Sequence, residues 1–204
     1  MSEPISLTED ERDCYQEITN VAMGQAADRL ARLLDVYVVL PIPNVNIIEI
    51  NEFKMTLKSL EDANSVSAVC QGFVGSGIAG EALLIFNDAS FSDIARLLKY
   101  KGDLNKHEEL EMLMDVANVL NGACIQGLGQ QLDINFSQSH PIILGQHCAI
   151  SDIIQAQETR WQRTMAIEIN YNIEDYNINC DLLLLFTEDS VRHMNRLISF
   201  LLED

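Results

Sequence analysis

The stretch DCYQEITNVAMG at residues 13–24 returns 98 residues later as EMLMDVANVLNG at residues 111–122. Each copy holds an acid, a second acid four residues on, an asparagine three residues later and a glycine four residues after that. The same shift superposes further identical pairs: Leu30 on Leu128, Asp35 on Asp133, and Pro43 on Pro141. An internal repeat of this length decides the architecture, so we predict a tandem duplication.

The second part of each half is also repeated, but with a shift that is two residues longer. A shift of 100 residues places Phe86 on Phe186, Arg96 on Arg196 and Leu97 on Leu197, so an insertion of two residues separates the two registers. A polar segment at 99–107 is the natural connection between the halves. We therefore predict one domain over residues 1–204, built from two repeats at about 7–100 and 105–203.

Each half reads as a long helix, an extended segment, two strands and a shorter helix. Thr8 and Glu11 form a capping-box pattern, and apolar residues then recur at the helical period to about Leu34. A short helix is expected at 51–61, a turn at 75–77 and a helix at about 90–100. The strands follow one another directly, which favours antiparallel hairpins and an α+β fold. We expect long helices flanking a largely antiparallel shared sheet with pseudo-twofold symmetry, one long helix on each side.

Composition excludes several classes of partner. The formal net charge is −18 and the pI is about 4.4. The negative electrostatic field of such a chain repels phosphate backbones and anionic membranes. The five cysteines are scattered and include no CxxC pair, which predicts reduced thiols in a cytoplasmic protein. The acidic N-terminal segment lacks the apolar core of a secretion signal, and no apolar run is long enough to span a bilayer.

The repeated acids and asparagines fall on one helix face. Residues at i, i+4 and i+7 lie within a narrow arc. We call Asp13, Glu17 and Asn20 the first row; the second row consists of Glu111, Asp115 and Asn118. One such row is most simply a solvated face, whereas two copies in register indicate a site. Gly24 and Gly122 continue the two rows, where the missing side chain lets a partner approach closely.

Other chemistries find little support in the sequence. No HExxH or ExxH motif is present, so we predict no metal site. A single Trp argues against a sugar cleft with paired carboxylates. The chain has no nucleophile elbow, P-loop or dinucleotide fingerprint, and the glycine-rich segment at 72–80 favours a hairpin turn over a phosphate cradle.

The segments EITNVAMGQAADRLARLL and VVLPIPNV resemble the CheC-type phosphatases of bacterial chemotaxis, a family that includes CheX and FliY. The family signature, Asp/Ser-x3-Glu-x2-Asn-x22-Pro, is matched in full by Asp13, Glu17, Asn20 and Pro43. The second copy matches at Asn118 and Pro141. Two copies in one chain favour the two-site CheC type over CheX, and the end of the sequence at residue 204 favours it over FliY.

The resemblance implies a hydrolase that removes phosphate from the phosphoaspartate of a CheY-like receiver protein in two-component signalling. Asn20 and Asn118 would each orient the attacking water, while Glu17 and Asp115 would pair with the receiver's active-site lysine. The receiver would bring its own Mg²⁺, so no cofactor is expected on this chain. The implied partner-binding residues are Asp13, Gly24, Glu111 and Gly122.

Two alternatives stay open at the sequence level. The protein could be a binding module that sequesters the phosphorylated receiver or the receptor deamidase CheD, with catalysis secondary or absent. It could also be a structural component of the flagellum. The second row departs from the family pattern because Asp115 is one methylene shorter than Glu, so we expect an active but weaker second site.

Overall fold

Seven strands form one antiparallel sheet in the computed structural model, which describes residues 5–49, 52, 55, 65–100, 102, 104–157, 163–173 and 175–202. The predicted α+β class is confirmed. The predicted helix at 51–61 lies almost entirely outside the described residues. The described elements, in chain order, are α1 (Glu9–Leu34), β1 (Asn44–Glu49), β2 (Val66–Gly75), β3 (Ile78–Asn87), α2 (Phe91–Leu97), α3 (Lys106–Leu132), β4 (Ser137–Gln138), β5 (Ile142–Cys148), α4 (Ile150–Gln157), β6 (Arg163–Ile173), β7 (Ile178–Phe186) and α5 (Glu188–Leu202).

The sheet is assembled by exchange of strands between the two halves. The hairpin β2–β3 belongs to the first half and the hairpin β6–β7 to the second, and they join through β3 and β7. Strand β1 of the first half pairs with β6, and strand β5 of the second half pairs with β2. Each half therefore completes its sheet only with a strand from the other half.

The registers of these pairs are related by an approximate twofold axis. Leu83 is opposite Leu183, its equivalent under the 100-residue shift, so the axis passes through this pair. Under the 98-residue shift, the pairing of Asn44 with Glu168 becomes the observed pairing of Ile142 with Cys70. The bridge between Val39 and Asn172 becomes the pairing of Ser137 with Val74 in the same way.

Both long helices begin and end with equivalent signals. Thr8 and Glu11 form the predicted capping box, in which the Thr8 N–H donates to the Glu11 carboxylate at 2.8 Å. Asn105 and Glu108 form the corresponding box of α3. The C-cap residues Asp35 and Asp133 have left-handed conformations with φ of 55° and 53°. Aspartate tolerates this conformation better than most residues, so each helix stops at the same point of its repeat.

The two long helices pack against the same face of the sheet, so the expectation of one helix on each side is wrong. Buried residues of α1 and α3 share one hydrophobic core with alternate residues of β3, β6 and β7. The helices also touch each other closely, because a Cβ at Gly127 would lie 2.8 Å from the Ala22 Cα. Two amphipathic helices bury more apolar surface when they also cover each other than when each covers one sheet face alone.

The second face of the sheet holds a smaller core. Ile150 and Ile153 of α4 pack there against β2, β3 and β7. The five cysteines are free thiols, and Cys70, Cys124 and Cys180 are buried. None of the described helices combines the length and apolar character that crossing a bilayer requires.

One departure from the twofold symmetry forms a polar cluster between the halves. A β-bulge near Gly145 shifts the register of β5, and His147 adopts a positive φ of 52°. Its Nδ1 lies 2.9 Å from an Asp88 carboxylate oxygen, and its Nε2 lies 2.8 Å from Glu109 Oε2. The hydrogen bond to Glu109 raises the pKa of His147; partial burial opposes this effect, and Asp88 adds to the increase.

We predict that His147 makes stability depend on pH. Because its pKa is raised in the folded state, its contribution is complete below the unfolded pKa of about 6.5 and is lost as pH rises through the folded pKa. Urea unfolding should therefore show that His147→Gln costs more at about pH 6 than at about pH 8.5. The exposed His140 supplies the control, His140→Gln; a His147→Gln cost that is the same at both pH values would contradict this role.

Candidate functional site

The two rows lie on exposed faces of the two long helices. All three side chains of the first row and all three of the second are exposed to solvent. The opposite side of α1 is buried, with Tyr15, Ile18 and Ala22 in the main core. The helical spacing that groups each row on one face therefore also turns it away from the core, as the sequence predicted.

The polar side chains of the rows are largely uncommitted. Glu17, Asn20, Asp115 and Asn118 make no hydrogen bond or ion pair to any described residue. Within the second row, Glu111 contacts the exposed His107 at 3.4 Å. Two carboxylates and two carboxamides thus keep their full capacity for a partner, without the need to break an internal contact first.

The two rows lie apart on the molecule. Gln25 of α1 contacts Gln130 of α3, and Arg29 contacts Gln126, so the helices run antiparallel. With a rise of 1.5 Å per residue, Asn20 and Asn118 lie about 20 Å apart along the helix pair. One site therefore lies toward each end of the pair, and two partners could approach from different directions.

The two motif prolines differ in their surroundings. Pro43 is buried, and its carbonyl oxygen accepts a hydrogen bond from Gln16 Nε2 at 3.1 Å. This contact ties the loop before β1 to the helix turn that carries Glu17. Met114 stands at the position equivalent to Gln16, and Pro141 is only half-buried. Gln16 was not identified from the sequence, because the pairing joins residues 27 positions apart through a side chain that the motif leaves free.

A polar groove of about 660 Å³ adjoins the second row. It lies between α3, the loop that follows this helix, and β4, and Arg29 of α1 reaches into it. Sequence reasoning missed the groove because its shape depends on how the loop after α3 folds back on this helix, and because Arg29 reaches it from the other half. Its remaining lining residues are Gly122, Gln126, Gly129, Gln130, Asp133, Ile134, Asn135, Phe136 and Gln138.

Metal chemistry has no obvious location in the described residues. No group of three or more His, Cys, Asp or Glu side chains there is arranged to hold a metal ion. The rows contribute two carboxylates and a carboxamide each, spread over two helix turns on an open surface. The two nitrogens of His147 face different carboxylates, so this cluster is a set of hydrogen bonds between protein groups.

Structural comparison finds several solved structures with a fold similar to that of this chain. The crystal structure of Thermotoga maritima FliY matches with a TM-score of 0.68 and 21% identity, over 96% of this chain and 98% of that one. A CheC-like protein from Shewanella oneidensis matches with a TM-score of 0.55 and 13% identity, over 84% and 99%. FliM from the H. pylori FliM–SpeE complex matches with a TM-score of 0.61 and 11% identity, over 95% and 97%.

No protein-family model matches the sequence, and a search of curated proteins gives no match. At these low identities the structural likenesses show the fold. The fold is of the CheC/CheX/FliY type, as the resemblance of the sequence predicted. The narrower assignment to the two-site CheC type stays a prediction, as do the roles of the row residues.

We predict that Gly24 lacks a side chain because a binding partner approaches the helix closely there, and not because internal packing requires a glycine. A Cβ at Gly24 would meet no atom within 4 Å. Gly24→Ala should therefore raise the free energy of unfolding by about 1 kcal/mol, because alanine favours the helix. If a partner's backbone approaches at this position, the same change should weaken its binding in a titration.

Gly127→Ala is the matched control, since its Cβ would press on Ala22 at the helix crossing. This variant should be less stable than the parent protein in the same unfolding measurement. A Gly24→Ala protein that is destabilised, or that binds the partner as tightly as the parent, would contradict the role given to Gly24.

Proposed function

We propose that the protein hydrolyses the phosphoaspartate of a CheY-like receiver protein, using the first and second rows as two separate sites. The observation that carries the proposal is the pair of exposed acid–acid–Asn rows, in which the second acid and the asparagine have no partner among the described residues. The CheC/CheX/FliY-type fold supports this function, because it places both copies of the family motif on helix faces open to a large partner.

Docking would depend on the second acid of each row. Glu17 would pair with the lysine of the receiver's active site, and Asp115 would do so in the second row. Such a pair fixes the register of the helix on the receiver and favours the correct partner. The net charge of −18 would attract a surface with a basic rim and steer its approach at low ionic strength.

The chemical step needs a correctly placed water. An acyl phosphate already reacts slowly with water, so the enzyme gains most by fixing the attacking water in line with the phosphorus. The Asn20 or Asn118 carboxamide would hold this water by hydrogen bonds; an amide is too weak a base to take its proton. The water oxygen bonds to phosphorus and the bond from phosphorus to the aspartyl oxygen breaks, while the water proton passes to a phosphoryl oxygen. The products are inorganic phosphate, which carries that proton, and a free aspartate carboxylate. Any Mg²⁺ would be bound by the receiver.

The second site would work with a shorter docking acid. Asp115 must bring its carboxylate about 1 Å closer to the lysine than a glutamate would, or reach it through a water. The rest of the second row matches the first in exposure and in its uncommitted amide. We therefore assign activity to both sites, with weaker docking at the second.

A binding role without significant hydrolysis is the second candidate. The likeness to FliM from a structure named as a FliM–SpeE complex favours this reading, because that fold is seen there in a protein assembly. Mixing the protein with phosphorylated receiver separates the two roles. A sub-stoichiometric amount that accelerates phosphate loss supports the enzyme; slower loss in proportion to the bound protein supports sequestration of the receiver.

We predict that the two asparagines account for the hydrolytic activity. Asn20→Ala and Asn118→Ala should each lower the rate of phosphate release, and the double variant should reduce it to that of the receiver alone. Loss of a water-positioning group typically costs about 100-fold or more at its own site. Phosphate release from an acetyl-phosphate-labelled receiver provides the measurement, and an undiminished rate in the double variant would disprove the phosphatase proposal.

We predict that lengthening the second docking acid improves the second site. In the Asn20→Ala background, Asp115→Glu should lower KM severalfold, because the carboxylate then reaches the lysine directly. The reciprocal change, Glu17→Asp in the Asn118→Ala background, should raise KM at the first site. Equal KM values for Asp and Glu at both sites would show that this acid does not dock the receiver.

A further inference from the structure

Arg29 brings an unneutralised positive charge into the groove beside the second row. The guanidinium donates to Gln126 Oε1 at 2.8 Å and makes no ion pair with any described carboxylate. Asp133 also lines the groove but makes neither an ion pair nor a hydrogen bond with Arg29. The other lining side chains are uncharged and include the carboxamides of three glutamines and one asparagine: Gln126, Gln130, Gln138 and Asn135.

The Arg29 guanidinium has no carboxylate partner among the described residues, although acids outnumber bases in this chain. Arg32, one turn further along α1, pairs with Asp28 at 2.9 Å. Arg29 instead faces a neutral amide, although the chain carries 31 acidic and 13 basic residues. An arginine that is hydrogen-bonded to a neutral amide retains its capacity for a charge-assisted, bidentate contact with a carboxylate from outside.

The groove continues the second row along α3. Gln126 follows Asn118 by eight residues, which is about 12 Å along the helix axis. Gly122 lies between them on the same face, and its missing side chain leaves the path from the row to the groove open. A partner bound to the second row would therefore contact Arg29 through a surface segment that lies outside the partner's own active site.

The first row has no arginine at the position equivalent to Arg29. Arg29 corresponds to Gly127 under the 98-residue shift, so α3 offers no side chain at the matching point of α1. Asn135 of the groove corresponds to Tyr37, whose side chain is 82% exposed. The groove and its cation therefore distinguish the second row from the first, even though the rows themselves are similar.

We propose that this groove seats an acidic surface segment of the receiver that docks on the second row, with Arg29 as its anchor. This inference rests on the proposed function. The partner's carboxylate occupies the free side of the guanidinium, and the glutamine carboxamides hydrogen-bond to the polar backbone of the same segment. The contact adds affinity where Asp115 docks less well than a glutamate, and it gives the second site a preference among receivers.

The test compares Arg29→Gln in two backgrounds that isolate the sites. In the Asn20→Ala protein, where the second site acts alone, Arg29→Gln should raise KM about fivefold with kcat unchanged, and the effect should shrink at high salt. In the Asn118→Ala protein, where the first site acts alone, Arg29→Gln should leave both KM and kcat unchanged. Arg32→Gln is the matched control, because it removes a charge from the same helix but not from the groove.

Three results would overturn the inference. An unchanged KM in the Asn20→Ala background excludes the anchor, and an equal effect in both backgrounds assigns Arg29 to helix packing. If Arg29→Gln instead dissociates an oligomer in sedimentation velocity while KM stays constant, the groove binds a second copy of this chain.

A binding measurement separates this inference from the proposed function. Titration of the Asn20→Ala protein with receiver activated by beryllofluoride reports docking without hydrolysis. If the double asparagine variant still hydrolyses the phosphoaspartate, the proposed function fails, yet the titration still shows whether Arg29 contributes to docking. If the double variant is inactive and Arg29→Gln binds as tightly as its parent, the inference alone fails.

Discussion

The antiparallel pairing of β3 with β7 is the contact on which the rest of the molecule depends. It joins the two hairpins into one sheet, and the pair Leu83–Leu183 places the twofold axis at its centre. Because β1 and β5 each cross to the other half's hairpin, neither half can satisfy its backbone hydrogen bonds alone. The twofold axis relates the two long helices, so they pack in antiparallel orientation. Their rows therefore lie toward opposite ends of the helix pair.

The symmetry is closest in the backbone registers and weakest in the loops that follow the long helices. A Cβ at Gly129 would collide with the Ile134 carbonyl, so the glycine lets the second loop lie close to α3. Ala31 stands at the equivalent position in the first half, where the Val36 N–H donates to the Ala31 carbonyl at 3.1 Å; the corresponding bond from Ile134 to Gly129 is 2.7 Å. The groove beside the second row and the bulge that introduces His147 are thus local departures on a symmetric frame.

Much of this architecture could be predicted because it depends on local sequence signals. The capping box at Thr8, the turn at Ser76 and Gly77, and the exposed arc of each row follow from short-range rules of helix and hairpin geometry. The side of the sheet chosen by α3 could not be read from its own sequence, since it depends on how tightly α1 and α3 fit at Gly127. The groove, the bulge and the His147 cluster each join residues from both halves, and no periodicity within one half records such contacts.

Similar rows in different surroundings would bind through different forces under the proposed function. Beside the first row, Ile42 and Tyr37 are 81% and 82% exposed, and the hydrogen bond from Gln16 to Pro43 holds their loop against the helix. A partner docked there gains from burial of apolar surface, which salt hardly weakens. Beside the second row, the gain comes from Arg29 and amide groups, and salt screens the charged part. The two rows would thus differ in the residues around them, while each keeps the acid and the asparagine to which the proposed function gives docking and the placing of the water.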